Sequence, residues 1–184
     1  MKTQPIPYER SVTFGRFNIG HSGHVELIQQ MLAHSKEAHV YVSEGSLNND
    51  WDLRVLLLKH LCRDKNLDLS RVRLLKSKSP FNAVENTLES SVWKEAVIVL
   101  GSDQQEMAQK LGDIYDCPTI INRRSNSSTQ IRFFLDSEDF REDLTHLYEG
   151  DEYATTLAML LRKEEILREK SAEAARKAEN TSQG

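Results

Sequence analysis

Two histidines three positions apart stand in a glycine-rich turn, within the stretch FGRFNIGHSGHVELI at residues 14–28. His21 and His24 are the nearby side chains that can donate hydrogen bonds to phosphate and also change charge near neutral pH. Gly15, Gly20 and Gly23 surround them. A β-rich run, ERSVTF (9–14), precedes the turn, and Val25, Leu27, Ile28, Met31 and Leu32 follow at helical spacing. Such a loop points backbone N–H groups at an open crevice, and the helix dipole adds positive potential there. Gly23 lets a backbone or phosphate approach closely. Two imidazoles beside a nucleoside triphosphate can stabilise the charge that builds on a pentacovalent phosphorus and its leaving pyrophosphate, with no covalent step. The plainer reading of the same pair is two loop histidines hydrogen-bonded to backbone.

Two further stretches carry similar double readings. SNSSTQIR (125–132) offers hydroxyls and an arginine at a helix start, which suits phosphate binding and equally suits a Ser/Thr helix cap. VLGSD (99–103) ends an apolar run in glycine and aspartate, a ligand-facing turn or ordinary strand-end chemistry. Basic residues in LKSKSP (75–80) and NRR (122–124) are candidates for an acceptor phosphate, or solvated surface charge. Trp51 and Trp93 read as packing residues, and His34, His39, His60 and His146 show no metal-ligand spacing.

The elements that must position these groups alternate. HVYVS (39–43) reads as a strand, EGSLNND (44–50) as a loop, 52–66 as a helix and RVRLLKS (71–77) as a third strand. Pro80 can open the helix that follows. EAVIVLGSD (95–103) is the apolar run of a strand buried on both faces of a parallel sheet. A helix over 104–115, a fifth strand PTIINR (118–123), a polar turn leading into a helix at 125–135, and helical sequence over 138–168 complete the pattern. Leu157, Leu160, Leu161 and Leu167 read as one stripe. Alternating strands and helices imply parallel strands with right-handed crossovers. The expected fold is α/β, a Rossmann-like doubly wound five-stranded parallel sheet with a C-terminal helical extension, and its ligands belong at the carboxyl ends of the strands.

The chain has 184 residues, which suits one core with an appendage. We divide it into a core domain over 1–136, helices over 137–168 that pack on it or on a partner subunit, and a polar tail over 169–184, frayed or disordered. A net charge of −4 argues against nucleic acid or an anionic membrane as partner. Cys62 and Cys117 lack metal-ligand spacing and read as reduced, buried residues. The opening residues MKTQPIPYERS lack an apolar h-region, and no apolar run reaches membrane-spanning length, so the expected compartment is the cytoplasm.

The motifs carry a resemblance. GRFNIGHSGH resembles the HxGH motif of the nucleotidyltransferase superfamily in the form GRFxPxHxGH, as in nicotinamide-mononucleotide adenylyltransferases of the archaeal kind and related cytidylyltransferases. SNSSTQIR is similar to that family's ISSTxIR, and VLGSD to its glycine-and-aspartate turn. The resemblance covers roughly residues 10–140. It implies transfer of a nucleoside monophosphate from ATP or CTP to a small phosphorylated acceptor, nicotinamide mononucleotide first, with Mg²⁺ carried on the phosphates and no dedicated protein cage.

Residue by residue, the resemblance implies catalytic roles for His21, His24 and Arg132. It places Gly15, Arg16 and Phe17 near phosphates and base, with Gly23 admitting the phosphate and Gly101 and Asp103 near ribose or base. Ser127, Ser128 and Thr129 would hold the outer phosphates. Ile19 stands where the family has proline, which implies a looser loop, and Asn126 where it has isoleucine. The basic residue that members place after the second strand has Arg54 as its candidate. A homo-oligomer fits the family's habit. The competing reading is a non-catalytic nucleotide-binding or structural protein that kept the fold.

Overall fold

The computed structural model describes residues 8–44, 50–89, 95–123 and 140–182, with side chains to 179. Its elements in chain order are β1 (Tyr8–Gly15), α1 (Ser22–His34), β2 (Ser35–Ser43), α2 (Trp51–Asp64), β3 (Val72–Ser77), α3 (Pro80–Glu89), β4 (Ala96–Gly101), α4 (Gln105–Tyr115), β5 (Thr119–Asn122), α5 (Phe140–Leu147) and α6 (Glu152–Ser182). The polar segment 125–135, Trp93 and most of the 44–50 loop lie outside the described residues.

The five strands are all parallel in the order β3-β2-β1-β4-β5, the doubly wound α/β sheet expected from the alternation. β1 lies at the centre and β3 and β5 at the edges. One face packs Val40, Val42, Val97 and Val99 against Val25, Ile28 and Met31 of α1 and Val55 and Leu58 of α2. The other packs Val12, Tyr41, Ile98 and Leu100 against Ala83, Val84 and Leu88 of α3 and Ala108 and Leu111 of α4. Every residue of β4 is buried, which is why its sequence is unbrokenly apolar. Each such side chain withdrawn from water contributes about 1.5–3 kcal/mol.

The chain turns from α1 into β2 without a loop, so β2 starts four residues before the expected Val-Tyr-rich run. Arg71 braces this junction: its guanidinium donates to the carbonyl of Leu32 in the last turn of α1, which the helix leaves unpaired, and to those of Ser35 and Lys36 at the start of β2. The Ser35 hydroxyl also reaches Met31 O at 2.9 Å and Ser11 Oγ at 2.7 Å.

The helical sequence expected over 138–168 is two helices. The break falls at Tyr148–Asp151, where Glu149 (φ 54°) and Gly150 (φ 85°) adopt left-handed backbone that suits glycine. α6 then continues as helix to Ser182. The leucine stripe divides. Leu157 and Leu161 are buried in a third cluster with Ile19, Leu57, Leu144 and Tyr148, while Leu160 and Leu167 are exposed. At 3.6 residues per turn, Leu157 and Leu161 point about 90° around the helix from Leu160 and Leu167. No helix among the described residues is long and apolar enough to cross a membrane.

Candidate functional site

The order of the sheet locates a crevice. The chain leaves β3 at one edge and returns as β4 on the far side of β1, so β1 and β4 meet at the topological switch point. Their ladder ends at Val12↔Ile98, whereas β1 stays paired with β2 to Gly15↔Val42 and β4 with β5 to Gly101↔Asn122. Over their last three residues the two central strands therefore part. Gly15 and Gly101 terminate them. A Cβ at Gly15 would meet the Phe17 ring at 3.1 Å.

The histidine pair stands just after β1, at the start of α1. His21 is the N-cap, and its Nδ1 accepts the Gly23 N–H at 3.1 Å. The His21 N–H in turn donates to His24 Nδ1 at 3.3 Å, a reciprocal capping box built from two imidazoles. The rings stack with centroids 3.8 Å apart, and Phe17 closes on His24 at 4.8 Å. Because both Nδ1 atoms accept from backbone, the neutral rings keep their protons on Nε2. Both rings are buried, His21 at 0% and His24 at 5% exposure. The backbone reading and the phosphate reading thus use different nitrogens of the same rings.

The other expected residues separate into groups. Arg16 is exposed, while Phe17 (φ 50°) is a core residue at 3%. The Gly23 N–H is spent on the cap. Asp103 lies in a short turn after β4, on the rim of a cleft of about 980 Å³ lined also by Phe14, Pro80, Leu100, Glu106 and Lys110. Ser127, Ser128, Thr129 and Arg132 fall outside the described residues. The basic clusters do not converge: Lys76 and Lys78 are at the end of edge strand β3, with Lys76 over the Trp51 ring at 4.8 Å, and Arg123 follows the opposite edge.

Arg54 is 1% exposed and does not face the crevice as a free cation. Its guanidinium donates to Arg16 O at 2.5 Å and Ser43 O at 2.8 Å, tying the carboxyl ends of β1 and β2 together. Burial lowers its pKa, with Arg168 adding to this and Asp50 opposing it. A lone arginine among the leucines of DLRVLLL was the available signal for such a clamp.

Ile19 overturns the expectation of a looser loop: it is 2% exposed and packs into the third cluster, against α2, α5 and α6. Tyr148 also escaped the sequence reading. Its hydroxyl donates to Gly20 O at 2.7 Å across 128 positions of chain, which no local pattern announces. Among the described residues, three buried polar atoms at the carboxyl end of the sheet lack hydrogen-bond partners: Thr13 Oγ1, Asn18 Oδ1 and Asn122 Nδ2. Thr13 alternates with Val12, and Asn122 shares the side of Ile120, so both are on the α1 face of the sheet. Each orphan costs about 1–3 kcal/mol unless something binds it.

No protein-family model matches this sequence, and no curated protein matches it either. Solved structures do. A bifunctional NMN adenylyltransferase/ADP ribose pyrophosphatase from Francisella tularensis superposes with a TM-score of 0.55 at 17% identity, over 92% of this chain and 57% of that one. A structure of that bifunctional protein complexed with AMP and a manganese ion gives 0.51 at 17% identity, over 83% of this chain and 52% of the other. The chain thus spans just over half the length of these proteins. The likeness establishes the fold, a five-stranded parallel Rossmann-like sheet with flanking helices and a long C-terminal helix.

Proposed function

We propose that this protein is a nucleotidyltransferase. It moves a nucleoside monophosphate from ATP or CTP to a small phosphorylated acceptor, best nicotinamide mononucleotide, and releases pyrophosphate. The observation that carries this reading is the stacked His21–His24 pair at the α1 N-terminus, beside the opening between β1 and β4. The orphaned Thr13, Asn18 and Asn122 atoms at the carboxyl end of the sheet support it, because a bound polar ligand would satisfy them.

In the reaction, an acceptor phosphate oxygen attacks the α-phosphorus in line. The new P–O bond forms as the bond to the bridging oxygen breaks, and pyrophosphate departs. The acceptor is already ionised, so the protein supplies positioning and charge stabilisation. His24 donates from Nε2 to the α-phosphate as charge builds, and His21 holds the cap and the stack. By resemblance, Ser127, Ser128, Thr129 and Arg132 hold the leaving phosphates, Gly15, Arg16 and Phe17 line the end of β1, and Gly23 lets the phosphate approach. Gly101 and Asp103 face ribose or base. Among the described residues no three His, Cys, Asp or Glu side chains gather around one point, but Asp103 and Glu106 share the cleft after β4. A Mg²⁺ would arrive bound to the triphosphate, with no dedicated protein cage. When bound, it neutralises phosphate charge.

The burial of both imidazole rings favours a second reading, a nucleotide binder that retains the histidines only as a cap. One experiment separates the two. ATP and CTP are each offered with nicotinamide mononucleotide and with sugar and polyol phosphates, and pyrophosphate release is followed for the wild type and His24→Ala. Release that the substitution abolishes supports transfer. Nucleotide binding without release for every acceptor supports the second reading.

A further inference from the structure

The C-terminal helices hold the histidine turn at one peptide unit. Tyr148 is 7% exposed and closes α5, where its N–H donates to Leu144 O and its own carbonyl accepts from Asp151 N. The turn after it is latched to α2, since His60 Nε2 meets Asp151 Oδ2 at 2.6 Å. The Tyr148 hydroxyl reaches Gly20 O at 2.7 Å. That carbonyl and the His21 N–H belong to the same planar peptide group. The His21 N–H is the donor to His24 Nδ1 at 3.3 Å.

We propose that Tyr148 is a positioning residue for His24, acting through the Gly20–His21 peptide as a relay from phenol to carbonyl, and from amide to imidazole. The inference deepens the proposed nucleotidyl transfer, on which it rests. A peptide plane pinned at its oxygen cannot tilt, so the donor facing His24 Nδ1 keeps its direction and the ring keeps its proton on Nε2. Hydrogen bonds in series also polarise one another, which strengthens the far bond. Burial, with Asp151 nearby, pushes the Tyr148 phenol well up, so it remains a donor throughout the working pH range. Ile19 locks the same turn from the side, seated among Leu57, Leu144 and Leu161. In this protein the helices after the sheet thus perform a task at the site.

The test is Tyr148→Phe, which removes one hydroxyl and keeps the ring in its cluster. It is compared with Leu88→Ala, which weakens the core on the other face of the sheet without touching the relay. Y148F should lower kcat about 10- to 100-fold, the scale of a misplaced catalytic group, with KM for the triphosphate unchanged. It should also move the His24 imidazole ¹⁵N resonances, whereas L88A should lower Tm and leave kcat and those resonances in place. Wild-type kcat and unmoved resonances in Y148F would overturn the proposal, as would equal kcat losses in both variants. The wild type offers a check that needs no variant: His24 Nδ1 should read as an unprotonated acceptor, and a proton there would break the relay. If no acceptor yields pyrophosphate, the proposed function fails, while the imidazole spectra still report on the Tyr148–His24 link.

Discussion

His21 and His24 cap one helix for each other. Each Nδ1 accepts a backbone N–H, and the two rings stack at 3.8 Å with a 33° tilt. In the proposed transfer Nδ1 is the structural nitrogen and Nε2 the chemical one, and that division can be measured. His21→Asn keeps an N-cap oxygen, so the fold should survive, whereas His21→Ala should lose about 1 kcal/mol of stability. His24→Ala should cost about 10²–10³ in kcat, the usual loss on removing one donor to a transition-state oxyanion. Thermal melts beside pyrophosphate-release kinetics check both, and full turnover by H24A would end the catalytic reading.

Arg54 ties two strand ends through Arg16 O and Ser43 O. Arg54→Met should therefore destabilise the fold by about 2–3 kcal/mol, since hydrogen bonds to a charged group are lost and two carbonyls are left unpaired. Arg54→Lys should recover little, because one ammonium cannot span both acceptors as the planar fork does. Urea unfolding midpoints of the two variants decide this, and a lysine variant as stable as wild type would contradict the clamp.

Stability should fall in acid, and His39 should start the decline. Burial lowers the His39 pKa below its ordinary 6.5, against the opposing pull of Glu37, whose Oε2 is 2.9 Å from its Nε2. The unfolded chain then binds more protons, so this contribution is complete above pH 6.5 and is lost as pH falls through the lowered folded value. Glu37 follows. Burial works to raise its carboxyl, but hydrogen bonds from Arg73 and His39 outweigh it and hold the group below 4.5, so its contribution fades below that pH. Denaturation midpoints measured from pH 8 to pH 4 should slope downward toward acid, and His39→Gln should flatten the limb just below pH 6.5. An unchanged slope there would assign the decline elsewhere.

The two thiols should be silent in the folded protein. Burial pushes Cys62 up to about 12, and burial with Asp116 pushes Cys117 up to about 11, although a backbone hydrogen bond to Cys117 opposes the shift. Both are buried. A thiol reagent at mildly alkaline pH should release nothing until denaturant is added, and then report two thiols. Prompt labelling of the native protein would show that one of them is accessible.

Much of the fold was legible because its signals are local. The apolar run AVIVLG could only be a doubly buried strand, and Gly15 and Gly101 mark where central strands stop. The boundary errors have two causes, one a contact from far along the chain and the other a local backbone turn. β2 begins early where Arg71 braces the carbonyls at its junction with α1, and the helix expected over 138–168 breaks where Gly150 takes a left-handed turn. Leu157 and Leu160 look alike in sequence, and only the α2 surface beneath one of them tells them apart.

The sequence by itself determined the alternation of strands and helices, and hence a parallel sheet with its working edge at the strand carboxyl ends. It also determined which residue types could meet a phosphate there, because residue type and short-range periodicity are properties of neighbours in the chain. Only the tertiary structure decided which nitrogen of each histidine is spent on backbone, that Arg54 is a clamp, and that Tyr148 reaches Gly20 from 128 positions away. Those are matters of distance and direction between groups that folding brings together, and linear spacing carries neither.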